Sequence, residues 1–299
     1  MWPFRRKTLV ITHSGTFHAD DVFACATLSL LFKNRIKIVR TRDEKIIEKG
    51  DIVLDVGGIY DPKENRFDHH QSGGAGKHAN GVPYASFGLV WKHYGKELCG
   101  SDEIAEAIDE SLVVPIDAGD NGVNFTNTEF NDLHPFMVDN AFRSLLSADR
   151  SNKAIQRAFN EALFMAKKII KNQMEREEYK KSKEKSAIEA YNNAPDKRIV
   201  ILDENIPVGI LNKYPEPLFV VVPRQEPNEK TWLILTVRDD PKSFKNRKDF
   251  PKAWAGLIGE KLAKVTGVTD SGFCHNNLFL AGAKSREGAA RLAELAANA

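Results

Sequence analysis

T-L-V-I-T-H-S-G-T-F-H-A-D-D, residues Thr8 to Asp21, decides the architecture of the amino-terminal half. A β-branched apolar run closes on His13, and a Ser/Gly/Thr turn follows. From Ala19 to Asn34 apolar residues recur at Phe23, Ala26, Leu30 and Leu31, which is helical spacing. The stretch therefore predicts a strand, a turn and a helix. Lys37 to Thr41 and Asp51 to Val56 repeat the strand pattern, the second ending in Gly57-Gly58. The opening segment thus reads as β-α-β-β or β-α-β-α-β, which implies a parallel sheet. From Tyr84 to Ser147 the pattern is mostly helical, with Ile104, Ile108 and Leu112 on one face and Pro115 interrupting it. Asn152 to Asn192 contains neither Pro nor Gly, so one helix of about 60 Å is expected at a 1.5 Å rise per residue. Past Asn192-Asn193-Ala194-Pro195, strands are expected at Arg198 to Leu202, Leu218 to Val222, Thr231 to Val237 and Leu278 to Ala281. A helix from Ser285 to Ala297 ends the chain. The fold class is α/β. Its expected parts are a domain at 1–150 with a mostly parallel sheet, a connecting helix at 151–192, and a smaller α/β domain at 193–299.

Composition narrows the function classes. With 299 residues, 42% hydrophobic and 28% charged, disorder and fibrous repeats are excluded. No run approaches the roughly 18 apolar residues of a membrane span, so a soluble protein without a membrane partner is expected. The basic start, M-W-P-F-R-R-K, precedes an apolar run too short for a signal peptide. Cys25, Cys99 and Cys274 show no C-x-x-C spacing, which points to the cytoplasm and away from a thiolate metal site. The net charge of +2 gives no bulk attraction for nucleic acid, so any polyanion must be met locally. Lys167 to Lys185, with eight Lys/Arg against four Glu, reads first as a solvated helix face.

Residues suited to metal chemistry stand at the predicted strand ends. His13, His18 and Asp20 form H-x4-H-x-D-D, Asp55 opens D-V-G-G, Asp68-His69-His70 follow a turn at Asp61 to Asn65, and Asp117 and Asp120 lie in D-A-G-D-N-G, in a loop after a predicted helix. Strand carboxyl ends of a parallel sheet converge on one crevice, where groups distant in sequence can meet. Taken singly, Asp20 and Asp21 also suit a helix N-terminus, and Asp117 and Asp120 suit caps before a Gly-rich turn. Taken together, four such blocks favour a metal centre. A ligand set of N and O without sulfur favours Mn²⁺ or Mg²⁺ over structural zinc, with Fe²⁺, Co²⁺ and catalytic Zn²⁺ also compatible. Asp55 is placed to bridge two ions about 3.5 to 4 Å apart, the arrangement used for phosphoryl displacement.

The four blocks together resemble the signatures of the DHH phosphoesterase superfamily. The nearest branch is the melanocyte-proliferating-gene family, exonuclease-like and also labelled a metal-dependent protein hydrolase. The resemblance runs to the carboxyl end, where Phe279 to Ala289 reads F-L-A-G-A-K-S-R-E-G-A. It implies a DHH-type domain with two divalent ions, Mn²⁺ foremost and Mg²⁺ or Co²⁺ as alternatives. The implied ligands are His13, His18, Asp20, Asp55 as bridge, His69, and Asp117 in preference to Asp120. His70 would stand near the scissile phosphate and Asp68 would orient an imidazole. The carboxyl-terminal domain would hold substrate through Gly282, Lys284 and Arg286 at a helix N-terminus, with His275 assisting. Relatives carry Gly-Gly-His where this chain has Gly282-Ala283-Lys284.

The expected activity is metal-dependent phosphodiester hydrolysis, foremost as a 3′-5′ exonuclease on single-stranded RNA or short oligonucleotides. Alternatives are hydrolysis of pyrophosphate or a dinucleotide, and metal-loaded RNA binding without turnover. A homo-oligomer is left open. Two other motifs fail their contexts. Gly74 to Ala79 matches G-x-G-x-x-A but follows no strand, and Gly282 to Ser285 lacks the upstream glycine of a P-loop.

Overall fold

The computed structural model describes residues 6–124, 135–225, 230–240, 243 and 245–299. The basic start at 1–5 and the middle of the predicted helical stretch, 125–134, lie outside the described residues. Two compact units divide the chain, Met1–Glu177 and Glu178–Ala299, with the division inside the long helix.

In the first unit the order is β1 (Thr8–Thr12), α1 (Ala19–Leu31), β2 (Ile36–Arg40), α2 (Glu44–Ile47), β3 (Ile52–Leu54), β4 (Tyr60–Asp61) and β5 (Arg66–Phe67). Then come α3 (Ser86–Cys99), α4 (Asp102–Ile108), α5 (Val114–Asp120), α6 (Val138–Arg143) and α7 (Asn152–Asn193). The sheet order is β2-β1-β3-β5-β4. The pairs β1–β2, β1–β3 and β3–β5 are parallel, and β4 is the antiparallel edge. One face is covered by α1 and α3, where Phe23, Phe87 and Phe142 stack around Val10 and Leu54. The opposite face buries only Ile11, Val53 and Val56 under Ile47 of α2. Fully burying side chains of this size contributes roughly 1.5 to 3 kcal/mol each, so the α1–α3 face carries most of this unit's stability.

The predicted interruption at Pro115 takes a different form. A π-turn, Asp109–Val113, runs without a break from α4 into α5, and Pro115 sits just past it at the second position of α5, so the wider turn takes up the proline within one continuous helical path. As a result Asp117 and Asp120 lie on the last turn of α5 rather than in a loop after a helix.

The second unit contains β6 (Ile199–Ile201), β7 (Phe219–Gln225), β8 (Lys230–Thr236), α8 (Glu260–Thr266), β9 (Ser271–Cys274), β10 (Leu280–Ala283) and α9 (Arg286–Asn298). Its sheet order is β6-β7-β8-β10-β9, antiparallel except for β6–β7. The strand expected at Leu278 to Ala281 begins at Leu280. Leu278, at φ +60°, closes a β9–β10 turn in which its amide donates to the His275 carbonyl at 2.9 Å. Among the described residues no helix is long and apolar enough to cross a membrane.

Candidate metal centre

Adjacent parallel strands set the centre. His13 is the first residue past β1, Asp55 the first past β3, and Asp68 the first past β5, so sheet order alone brings all three to one edge. Asp55 has φ +52°, a left-handed conformation that Asp tolerates better than most residues with a side chain. It is held there by its amide, which donates to the Phe67 carbonyl at 3.2 Å. Such backbone strain, of order 1 to 3 kcal/mol, persists where the surroundings enforce it, and functional sites are where it concentrates.

The Asp55 carboxylate lies among three imidazoles. Its Oδ2 is 3.2 Å from His13 Nε2, and its Oδ1 is 3.4 Å from His69 Nε2 and 3.5 Å from His70 Nδ1. His69 Nε2 is also 3.3 Å from Asp120 Oδ2, while Asp120 Oδ1 is 3.7 Å from His18 Nδ1. Three donor groups result: Asp55 with His69 and His70, His13 with Asp21 and Asp55, and His18 with Asp20 and Asp120. Both carboxylate oxygens of Asp20, Oδ2 of Asp21 and Nε2 of His69 are buried without a hydrogen-bond partner. Buried carboxylate oxygens without a donor cost several kcal/mol, and a divalent cation is the partner that this donor set suits. The residues present therefore fit a metal centre.

Electrostatics agree with that fit. Burial, reinforced by Asp55 and Asp120, pushes Asp20 well above the usual carboxylate range. Burial raises Asp21 to about 7 despite His13 nearby. Burial also opposes ionisation of Asp55, yet its contacts with His13 and His69 hold it below the usual range. For His13 and His69 burial lowers the pKa, and the Asp55 carboxylate more than offsets it, leaving both raised. The metal-free cluster shares protons among crowded acids, and a divalent cation would displace them.

Asp68 shapes the loop. Its Oδ1 accepts from the amides of His69 and His70 at 2.7 and 3.1 Å and lies 2.7 Å from His70 Nδ1, while Oδ2 accepts from the Gly58 amide at 2.6 Å. Asp68→Asn keeps the volume but loses this acceptor capacity. Metal-dependent turnover is expected to fall about 10- to 100-fold, measured as kcat/KM, with the fold retained by circular dichroism.

Asp117 and Asp120 part company. Asp120 joins His18, Asp20 and His69, whereas Asp117 accepts from the Gly88 amide at 3.0 Å and pairs with His78 Nε2 at 2.8 Å. His78 Nδ1 faces Asp109 at 3.6 Å. Burial would lower His78, but these two carboxylates raise it to about 9; burial raises Asp117 to about 6. The Asp117 carboxylate thus joins the loop around His78 to α3 and α5 and stands outside the three donor groups. A Cβ on Gly88 would meet Asp117 Oδ2 at 1.9 Å. Gly88→Ala should cost about 1 to 3 kcal/mol in denaturant unfolding, because this overpacking displaces a buried carboxylate.

Two residues matter more than sequence reasoning assigned them. Asp21, read as a helix-terminal charge, accepts from the His18 amide at 2.8 Å through Oδ1 and turns Oδ2 to 3.6 Å from His13. The doubled Asp in H-x-D-D was the available signal. His78 had none, being one polar residue in a Gly-rich loop.

In the second unit, Gly282 lies within β10, where a Cβ would meet the Phe273 ring at 2.8 Å, so packing alone accounts for the glycine. The first turn of α9 is already served. Asp270 Oδ2 accepts from the Ser285 amide at 2.9 Å and its hydroxyl at 2.5 Å, and Ser285 Oγ accepts from Gly288 N at 2.9 Å. Arg286 pairs with Asp203 at 3.2 Å. His275 Nδ1 accepts from the Asn277 amide at 3.1 Å, and its ring lies 4.4 Å from Phe279. Only Lys284 of the expected anion-binding group is exposed without an ion pair among the described residues. The expected anion site at a free helix N-terminus is thus corrected: Asp270 fills that position from within the unit.

The arrangement defines a class: an α/β protein whose carboxylates and imidazoles gather into groups of a kind that can hold a metal ion. The MYG1 exonuclease family model, described as an uncharacterised protein family (UPF0160), matches residues 9–297, and the chain belongs to that family. The "MYG1 protein" of Dictyostelium discoideum is 30% identical over 95% of this chain and 94% of its own length. The "MYG1 exonuclease" of Homo sapiens is 28% identical over 94% of this chain and 84% of its own. Among solved structures, a pGpG-specific phosphodiesterase from Vibrio aligns over 97% of both chains at 17% identity and a TM-score of 0.30.

Proposed function

We propose that the centre in the Met1–Glu177 unit takes two divalent ions, Mn²⁺ foremost, and that the protein is a 3′-5′ exonuclease on single-stranded RNA or short oligonucleotides. The observation that carries the reading is the Asp55 carboxylate within 3.2 to 3.5 Å of three imidazoles. Relatives that bear the name exonuclease support it. Residues suited to hold the ions are His13, Asp21 and Asp55 on one side and His18, Asp20 and Asp120 on the other, with His69 facing both Asp55 and Asp120. Bound divalent ions would supply a water of lowered pKa and neutralise charge on the phosphate.

The chain's own groups do the rest. His70 is the exposed member of the tandem pair, with its side chain 63% exposed against 9% for His69. Asp68 holds Nδ1, which leaves Nε2 as the nitrogen that can pass a proton to a leaving oxygen. His69 Nε2, buried within 3.4 Å of Asp55 and 3.3 Å of Asp120, would face an ion together with both carboxylates. Within the Glu178–Ala299 unit, Lys284 is the member of the expected anion-binding group that is left to meet a phosphate. Three buried free cysteines suit a reducing compartment such as the cytoplasm.

The test is Mn²⁺-dependent shortening of an end-labelled single-stranded RNA, run beside pyrophosphate and a dinucleotide. Stepwise removal of 3′ nucleotides is expected. Turnover confined to pyrophosphate or the dinucleotide would replace the exonuclease with a small-molecule phosphohydrolase, and RNA binding without any product would remove the enzyme.

A further inference from the structure

Arg42 lies just past β2, with its side chain exposed in a cleft of about 290 Å³ that also contains His13, Asp55 and His70. Its Nη2 is 3.3 Å from His13 Nδ1. That nitrogen is also 3.1 Å from the Ser14 carbonyl, so the ring's tautomer decides which of the two it bonds. With Nε2 turned to Asp55, His13 engages at most one of Arg42's five N–H donors and leaves the rest of the fork open. Arg42 forms no ion pair among the described residues, although the cleft beside it is rich in carboxylates. Arg40, two residues earlier, is differently employed: it donates to the Gly15 carbonyl at 2.6 Å and lies 4.5 Å from the Phe159 ring.

A guanidinium in a cleft with no carboxylate partner among the described residues, and with at most one of its donors engaged by His13, is complementary to an anion from outside. The cleft has room for one. Gly57 and Gly58 line it without side chains, and a Cβ on Gly58 would meet nothing within 4 Å. The volume lies near the lower end of the usual range of ligand pockets, about 300 to 1,000 Å³, which is room for a phosphate group.

We propose that Arg42 binds the substrate's phosphate, donating from its planar fork to two non-bridging oxygens while the metal-binding carboxylates stand behind them. The inference rests on the phosphoesterase reading of the centre and adds to it the residue that grips the anion. Bidentate geometry is the reason for arginine here, since lysine brings the charge without the fork.

The test is isothermal titration of inorganic phosphate into the full-length, Mg²⁺-loaded protein, comparing wild type, Arg42→Lys and Arg42→Ala at matched metal content. Saturable binding by the wild type is expected, at least about tenfold weaker in Arg42→Ala and intermediate in Arg42→Lys. Unchanged circular dichroism and metal content would separate this from a structural loss. Phosphate affinity within twofold of wild type in Arg42→Ala, or no saturable binding by the wild type, would overturn the proposal. Because the titration needs no turnover, it stands apart from the exonuclease assay: weakened phosphate binding in a protein that cleaves no oligonucleotide would keep Arg42 as the anion site and remove only the exonuclease.

Discussion

Asp55→Ala is expected to reduce Mn²⁺-dependent hydrolysis by about 10³-fold or more, because metal-ion stabilisation of the transition state is worth several kcal/mol and each 1.4 kcal/mol is tenfold in rate. No other carboxylate can substitute. Asp55 alone faces both the His13 side and the His69–His70 side of the centre, and its left-handed backbone fixes that position from β3. Asp55→Asn should behave almost as badly, since it keeps the volume while losing the charge between three imidazoles. Initial rates on labelled RNA, with metal content measured on the same preparations, check this. A loss under tenfold with the full metal complement retained would show that Asp55 does not join the ions.

Divalent metal should raise the melting temperature of the Met1–Glu177 unit, and more so at pH 8 than at pH 5.5. At a thousandfold excess over Kd, binding contributes about 4 kcal/mol. With an unfolding entropy near 2.1 cal/mol/K per residue, that corresponds to a shift of about 10 °C for a unit of this size. The pH dependence follows from raised carboxyl pKa values. Asp21 at about 7 and Asp117 at about 6 bind protons in the folded state that the unfolded chain has released. Their contribution to stability is present below the unfolded carboxyl range near pH 4 and is lost as pH rises toward 7. Asp55, held low, works the other way, but its contribution is complete above pH 4 and lost only in acid. His78, raised to about 9, holds its contribution below pH 6.5 and loses it as pH rises toward 9, which adds to the same trend. Metal-free protein should therefore melt lower at pH 8 than at pH 5.5. Of these groups Asp21 belongs to the metal-donor set, and cations compete with its proton, so the metal-induced increment should grow over the same interval. Calorimetric scans with and without Mn²⁺ at both pH values would show it. An increment that is constant with pH would mean the metal displaces no protons from these acids.

Much of the amino-terminal sheet could be read directly. β1, α1, β2 and β3 appear where β-branched runs and 3.6-residue spacing placed them, and the long helix ends within a residue of its predicted bound. The blocks around His13, Asp55 and Asp68 could be found because a parallel sheet sends strand ends to one edge. Less of the carboxyl-terminal unit was legible. β9 has a weak pattern, S-G-F-C, and β10 starts two residues late because Leu278 adopts a turn conformation that apolar periodicity does not encode. Gly282 looked like a ligand-binding glycine, yet its neighbour is a Phe273 ring.

By itself the sequence determined which side chains stand at strand ends, since alternation and helical spacing are local properties of the chain. It also determined the donor type, imidazole and carboxylate without thiolate. Only the tertiary structure decided how those donors divide. Asp117 and Asp120 share one helical turn, yet His78 and the Gly88 amide take the first while His18 and His69 face the second. Asp21 turns toward His13 because α1 packs with its first turn buried against the end of β1. The division between Asp117 and Asp120 depends on contacts between residues about thirty to one hundred positions apart, and no local pattern records which of two neighbouring carboxylates a distant group will reach.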